Sequence, residues 1–350
     1  MTGIRLGDKH GRDDVNKPAA RGSPVLEVSN LRTYLYTRWG ITKAVDGVSL
    51  SLNAGETLGV VGESGSGKSM LALSLVRLTP EPAARIVGGQ VMVNGRDLLS
   101  LSDKQMRLVR GKEISMILQD PQQSLNPVFT VGNQIEEAFK VHDRGVGNVE
   151  ARSKSIEALK SVRVPAPERR LSNFPHQLSG GMKQRIVGAI AMAYQPQVLI
   201  ADEPTTALDV TIQAQFLRLL KDLQRRTGVG IMLITHDFGV VAEACDRVAV
   251  MYAGRVVEQG PVEDIFDRPR HPYTRALLDS RPRSDLRAAR LKSIGGSPPS
   301  LNDLPMGCRF AERCTYVLDH CIAEYPPVFH VNDNHTAACW RTKEAPWEIR

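Results

Sequence analysis

Residues Gly62, Glu63, Ser64, Gly65, Ser66, Gly67, Lys68 and Ser69 run consecutively and fit G-x-x-x-x-G-K-[ST], a loop that cradles phosphates. Its glycines let successive backbone N–H groups converge on an anion, and a following helix adds its positive N-terminal end. Lys68 is then expected to reach the β- and γ-phosphates of a nucleoside triphosphate, and the Ser69 hydroxyl to bind Mg²⁺. A second group, Asp202 and Glu203, closes the apolar run 198–201. Carboxylates at the carboxyl end of a buried strand stand where α/β sheets place their ligands. There Asp202 would hold Mg²⁺ through its hydration shell, and Glu203 would orient and polarise an attacking water. A third group, Ser179, Gly180 and Gly181, precedes a helical pattern starting near Met182. Small residues at a helix N-terminus let the backbone approach a further phosphate.

The flanking segments predict how these groups are held. Residues 57–61 are a continuous apolar run ending at the glycine loop, as in a buried parallel strand, and residues 70–76 continue as a helix. Residues 25–28, 48–52 and 90–93 read as β-rich, with turns at 53–55 and 94–95. Residues 119–178 are polar and helical in pattern, interrupted by Pro165 and Pro167, and are expected to form an inserted helical subdomain. Helices over 182–194 and 212–226, a strand over 230–235 and a hairpin around Ala253 and Gly254 follow. Strands alternating with helices predict an α/β fold with a mainly parallel sheet. Beyond Gly260 proline, arginine and cysteine rise and the periodicity fades. Three parts are expected: a disordered extension over 1–23, a main domain over 24–260, and a C-terminal region over 261–350.

With 350 residues and 42% hydrophobic content the chain can bury a proper core. It has no apolar run of 18 residues, so no membrane span is expected. The polar, charged first two dozen residues lack a signal peptide's apolar core, which predicts a cytosolic protein. The net charge of +7 is diffuse and reads as a solvated surface, not a nucleic-acid footprint. Four of the five cysteines, Cys308, Cys314, Cys321 and Cys339, fall together near the end. In a cytosolic protein such clustering points to a metal sooner than to a disulfide.

Taken in order, the phosphate loop, the stretch from Leu178 to Arg185 and the acidic strand end resemble the ATP-hydrolysing subunit of an ABC transporter. The resemblance implies a P-loop NTPase ABC nucleotide-binding domain: a RecA-like parallel-sheet core, an antiparallel β subdomain and a helical subdomain over about 119–180. It implies ATP and Mg²⁺ as cofactors, and a signature motif at Ser179–Gly181 that reads the γ-phosphate held by a second ATPase. Gln119 resembles the Q-loop glutamine, a Mg²⁺ ligand that responds to a transmembrane partner. Residues 204–209 resemble the D-loop, and His236 the switch histidine that holds the water and Glu203. Trp39, with Tyr36 next, fits the placement of the adenine-stacking aromatic.

Two further segments resemble the dipeptide, oligopeptide and nickel permease branch: Asp120-Pro121-x-x-Ser124-Leu125-Asn126-Pro127, and His271 to Leu278. That branch implies two different ATPases, two permease subunits and an extracytoplasmic solute-binding protein. This chain would then sit peripherally on the cytoplasmic face of the plasma membrane and energise uptake of di- or oligopeptides, or alternatively of nickel or another small solute. A rival of another class is a soluble ABC ATPase acting on nucleic acid. DNA-maintenance types of that class insert a long heptad coiled coil between phosphate loop and signature, and this chain has none.

The cysteine region from Gly307 to Cys314 also resembles that branch, whose ATPases are associated with iron–sulfur clusters. The cysteines lack the C-x₂₋₄-C knuckle of structural zinc, which favours a [4Fe–4S] cluster over zinc. Zinc with His320, His330 or His335 replacing a thiolate stays open, as do four unligated thiols. Cys245 is expected to be an ordinary buried residue.

Overall fold

β1 (Pro24–Thr37) pairs antiparallel with β2 (Gly40–Asn53) on one side and with β4 (Ala84–Val93) on the other, and β5 (Arg96–Asp97) completes this four-stranded sheet. The computed structural model describes residues 23–120, 124–143, 145–206, 208–280 and 293–343. The extension expected over 1–23 therefore lies, except for Ser23, outside the described residues. The strands of this sheet are longer than the short apolar runs predict. Register shifts at Val28/Leu31 and Thr33/Leu35 break the alternation that marks a strand in sequence, because a bulge moves later side chains to the other face. The Asn94–Gly95 turn is as expected, both residues having positive φ between the paired Val93 and Arg96, the geometry of a two-residue hairpin.

The second sheet carries the chemistry. β3 (Thr57–Val61), β7 (Val198–Asp202) and β8 (Gly230–Ile234) are buried at every residue, as expected of strands covered on both faces. β6 (Ile114–Ile117), β7, β8, β3 and β9 (Arg247–Tyr252) are parallel neighbours in that order. All five thus point their carboxyl ends the same way, and the loops after β3, β7 and β8 open on one edge. β10 (Arg255–Pro261) returns antiparallel beside β9. β12 (His335–Ala337) and β11 (Phe329–Asn332) then extend the sheet beyond β10. The composition shift after Gly260 is therefore not a break in the sheet.

Helices begin where capping chemistry places them. Ser179 accepts from Met182 N–H and Asp209 from Ile212 N–H, starting helices Gly180–Ala191 and Val210–Thr227, each two residues before its apolar pattern does. Helices Val131–His142 and Asn148–Ser161 pack with Gly180–Ala191 around Ile135, Phe139, Leu159 and Ile186. Leu159 and Ile186 are wholly buried, each burial stabilising by about 2 kcal/mol. On the other flank, helix Pro272–Asp279 and residues around Phe310 close over β9. Tyr252, Tyr273 and Phe310 form an aromatic triad with centroids 4.5, 5.3 and 5.4 Å apart.

Candidate active site

The phosphate loop joins β3 to helix Lys68–Leu75. Gly67 caps that helix in the left-handed region, and a Cβ there would stand 2.1 Å from the Ala44 carbonyl oxygen, so only glycine brings the loop this close to β2. Lys68 is buried, and its Nζ donates to the carbonyl oxygens of Gly62 at 2.8 Å and Glu63 at 3.0 Å. Burial pushes its pKa down, against the pull of Glu203, Asp202 and Glu63. Ser69 Oγ donates to Asp202 Oδ1 at 3.2 Å. Burial pushes the Asp202 carboxyl up, opposed by that hydroxyl. A hydroxyl and a carboxylate paired at the mouth of a buried lysine form a hard-oxygen donor set that fits Mg²⁺.

Glu203 follows β7 with φ at +44°, a conformation unusual for a residue with a side chain and a reservoir of strain found at functional positions. Its Oε2 is shared by Gln119 Nε2 at 3.2 Å, Thr206 Oγ1 at 3.0 Å and His236 Nδ1 at 3.4 Å. The structure thus gathers Lys68, Ser69, Gln119, Asp202, Glu203 and His236, beside a cleft of about 570 Å³ walled by Ser69, Gln119, Asp202 and Thr206. Thr206 lies in the segment 204–209, whose resemblance points to a partner's site; its bond to this chain's own Glu203 is not readable from residue type.

Three expected groups stand elsewhere. Ser179 and Gly180 are exposed at the start of their helix, and among the described residues no hydrogen bond joins them to the phosphate loop. The signature helix instead packs on the loop after Glu203 and on the helix that follows it: a Cβ on Gly180 would meet Leu208 at 3.9 Å, and one on Gly181 would meet Ile212 of helix Val210–Thr227 at 2.8 Å. In that loop Ala207 lies outside the described residues, as do residues 121–123 after Gln119. Trp39 turns at the tip of the β1–β2 hairpin, 74% exposed, and Tyr36 is 42% exposed. Arg38 lies over the Trp39 ring at 4.6 Å and Arg85 over Tyr36 at 5.3 Å.

Cys308, Cys314, Cys321 and Cys339 line one enclosed cavity of about 10 Å³. Gly307 permits this: Cys308 N–H donates to the Cys321 carbonyl at 2.7 Å, and a Cβ on Gly307 would lie 2.1 Å from that oxygen. Backbone amides point at the sulfurs, those of Phe310 and Ala311 at Cys308, of Tyr316 at Cys314 and of Arg341 at Cys339. Burial outweighs them and pushes Cys308 up to about 11 and Cys339 up to about 12, so these two thiols carry protons until a cation takes the protons' place. The donor set fits a four-thiolate group. As the side chains stand, no three His, Cys, Asp or Glu among the described residues are placed to hold one metal ion, and the cavity is water-sized. A four-iron cluster is larger than that cavity, so holding one requires the side chains around it to rearrange. Of the candidate histidines, His335 is committed to Glu258 at 2.8 Å and His320 packs on Trp340 at 5.9 Å, while His330 lies in β11. Cys245 caps a helix outside this group, its thiol pushed up to about 12 by burial.

Residues 45–206 match the family described as ABC transporter, and residues 257–321 the family described as Oligopeptide/dipeptide transporter, C-terminal region. A probable peptide ABC transporter ATP-binding protein of Sinorhizobium fredii is 54% identical over 321 residues, covering 91% of this chain and 96% of that protein. A dipeptide transport ATP-binding protein of Bacillus subtilis is 50% identical over 316 residues, covering 90% and 94%. A solved dimeric ATP-binding cassette, in a post-hydrolysis state with ADP and phosphate bound, aligns with a TM-score of 0.61 at 28% identity, covering 68% of this chain and 98% of that one. With the phosphate loop, the acidic strand end and the polar junction at Glu203 in place, this chain belongs to the ABC transporter family, in the group that carries the oligopeptide/dipeptide transporter C-terminal region.

Proposed function

We propose that this chain is the ATP-binding and ATP-hydrolysing subunit of an ABC importer, energising uptake of di- or oligopeptides through a partner permease. The observation that carries the reading is the convergence of Lys68, Ser69, Gln119, Asp202, Glu203 and His236 on one sheet edge. Lys68 and the loop amides hold the phosphates of ATP. Ser69, Asp202 and the Gln119 carbonyl hold Mg²⁺, which neutralises charge developing on the transferred phosphoryl group. Glu203 takes the proton of the attacking water, and His236 fixes the carboxylate and the γ-phosphate. Tyr36 or Trp39 stacks on the adenine; both rings are exposed and free of the core.

Ser179–Gly181 serve a second ATPase, a chain different from this one, each subunit closing on the other's ATP. The exposure of Ser179 and Gly180, with no hydrogen bond to this chain's own phosphate loop among the described residues, supports that role. The helical subdomain docks a permease, for which Val128 and Phe129, 71% and 52% exposed, offer an apolar contact. Two permease subunits and an extracytoplasmic solute-binding protein complete the importer. The chain lies peripherally on the cytoplasmic face of the membrane; no helix among the described residues is long and apolar enough to cross it. No nucleic acid takes part. The parts are 1–23, an ATPase domain over 24–260 and a metal-binding region over 261–350, in which the four cysteines hold a [4Fe–4S] cluster that closes loops. The four thiols on one cavity support that assignment.

The test is reconstitution with the permeases, the second ATPase and the binding protein. ATP hydrolysis stimulated by the peptide-loaded binding protein, with labelled peptide accumulating, is the expected result. Stimulation by nickel and not by peptide would move the cargo to the alternative solute, and hydrolysis indifferent to both would reject the importer.

A further inference from the structure

Glu63, the second residue of the phosphate loop, brings a carboxylate into a segment that the proposed function assigns to a triphosphate. Its charge is one of three that act on the Lys68 ammonium. A carboxylate in a loop built for a polyanion repels its ligand unless a cation cancels it.

Arg313 supplies that cation from 250 positions further along the chain. Its Nη1 donates to Glu63 Oε2 at 2.7 Å and its Nη2 to Oε1 at 2.9 Å, the two-pronged pairing that guanidinium geometry favours. The Arg313 side chain is only 4% exposed and that of Glu63 26%. The guanidinium is also fixed from behind: Nε donates to the Gly295 carbonyl at 2.8 Å and Nη1 to Tyr252 Oη at 3.2 Å. Glu63 is held by its backbone too, its N–H donating to Tyr273 Oη at 2.8 Å and its carbonyl accepting Lys68 Nζ at 3.0 Å. One loop residue thus meets both the phosphate-binding lysine and the C-terminal region.

We propose that Arg313 is a positioning residue of the nucleotide site: it cancels the Glu63 charge inside the phosphate loop, so that a residue of the C-terminal region sets the affinity for Mg-ATP. The proposal rests on the ATP-binding reading of the loop but goes beyond it. A plain structural anchor would need the pair intact. A charge mask makes the opposite demand, that deleting the carboxylate compensates for deleting the guanidinium.

The test is calorimetric titration of the full chain with Mg-ATP at low and high salt. R313A weakens binding roughly tenfold, the scale of one nearby uncompensated charge, and the deficit shrinks as salt screens it. E63Q alone binds more tightly than wild type. R313A/E63Q returns to within about threefold of wild type, and R313K, which keeps the charge without the fork, does the same. A double variant as weak as R313A would overturn the proposal. So would weakened binding by E63Q alone, which decides the matter even if R313A does not fold. A wild-type chain that bound no Mg-ATP would remove the ATP-binding reading and this proposal with it, whereas normal wild-type binding with additive losses would remove this proposal only.

Discussion

Gln119 Nε2 donates to Glu203 Oε2 across 3.2 Å, tying the start of the helical subdomain to the residue that follows β7. Thr206 and His236 meet the same oxygen, so three loops are joined at one carboxylate. Its amide nitrogen being engaged there, Gln119 keeps its carbonyl oxygen for a cation. A movement of the helical subdomain that carries Gln119 with it would therefore change what surrounds Glu203.

Glu203→Gln should separate binding from chemistry. The amide keeps the shape of the side chain but cannot take the water's proton, so hydrolysis at this site falls about 10³-fold while Mg-ATP still binds. Lys68→Ala removes a charge from the bound phosphates and weakens binding itself. Equilibrium ATP binding and phosphate release, measured on the same importer preparations, distinguish the two. Equal loss of ATP affinity in both variants would contradict these roles.

Much of this site is legible in the sequence because its groups sit where buried runs end. Thr57–Val61 and Val198–Asp202 are apolar enough to be read as strands, and the loop after each is then a site by topology. The Glu203–Thr206 bond is not legible, since it depends on the positive φ of Glu203 and not on residue type. Nor is the Arg313–Glu63 pair, which joins residues 250 positions apart where Phe310 packs on Tyr252 and Tyr273. The compositional shift after Gly260 suggests an appendage; the hydrogen bonds from it reach the phosphate loop. The strand lengths of β1 and β4 are hidden by bulges that interrupt the period of two.

Ser179→Arg should spare nucleotide binding by this chain and stop closure on a partner's nucleotide. Ser179 and Gly180 are exposed, so a long side chain costs this chain little packing, yet it fills the space through which a facing phosphate approaches the helix N-terminus. The expected result is normal Mg-ATP affinity in titration, with ATP-dependent association of the two ATPases lost in light scattering. Association that persists at wild-type strength would remove Ser179–Gly181 from the interface.

The contact of Asp46 with Arg309 sets an acid limit on how firmly the C-terminal region is held. Arg309 pairs with Asp46 and donates to the Ala253 carbonyl, and Tyr34 Oη donates to Asp46 at 2.7 Å. Burial would raise the Asp46 carboxyl, but Tyr34 and Arg309 outweigh it and hold the pKa below the usual range. A carboxyl depressed on folding contributes stability that is complete above its unfolded value near 3.9 and is lost as pH falls through the folded value. Asp46→Asn leaves Arg309 buried without its counter-charge, at a cost of roughly 3 kcal/mol at neutral pH. Thermal melts from pH 7 to pH 2 should show a large gap between wild type and variant at neutral pH that begins to narrow only below about pH 4. A gap constant across that range would refute the assignment.

The four thiols offer the most direct test of the C-terminal region. With Cys308 pushed up to about 11 and Cys339 up to about 12 by burial, these two cysteines are protonated at neutral pH unless a metal centre binds them as thiolates. The amides of Phe310, Ala311, Tyr316 and Arg341 already face three of the sulfurs and would stabilise the charge that metal binding creates. Protein purified without oxygen should be brown, with a broad charge-transfer absorption and about four irons per chain. Cys339→Ser should lose the colour and lower the melting temperature, because the loops around Cys308 and Cys321 then lack their common centre. Since Arg313 adjoins Cys314, loss of the centre should also weaken Mg-ATP binding in the same preparation. Colourless wild-type protein carrying one zinc per chain would replace the cluster by a single ion. Colourless protein without metal, melting as high as the brown form is expected to, would leave four neutral thiols as ordinary core residues.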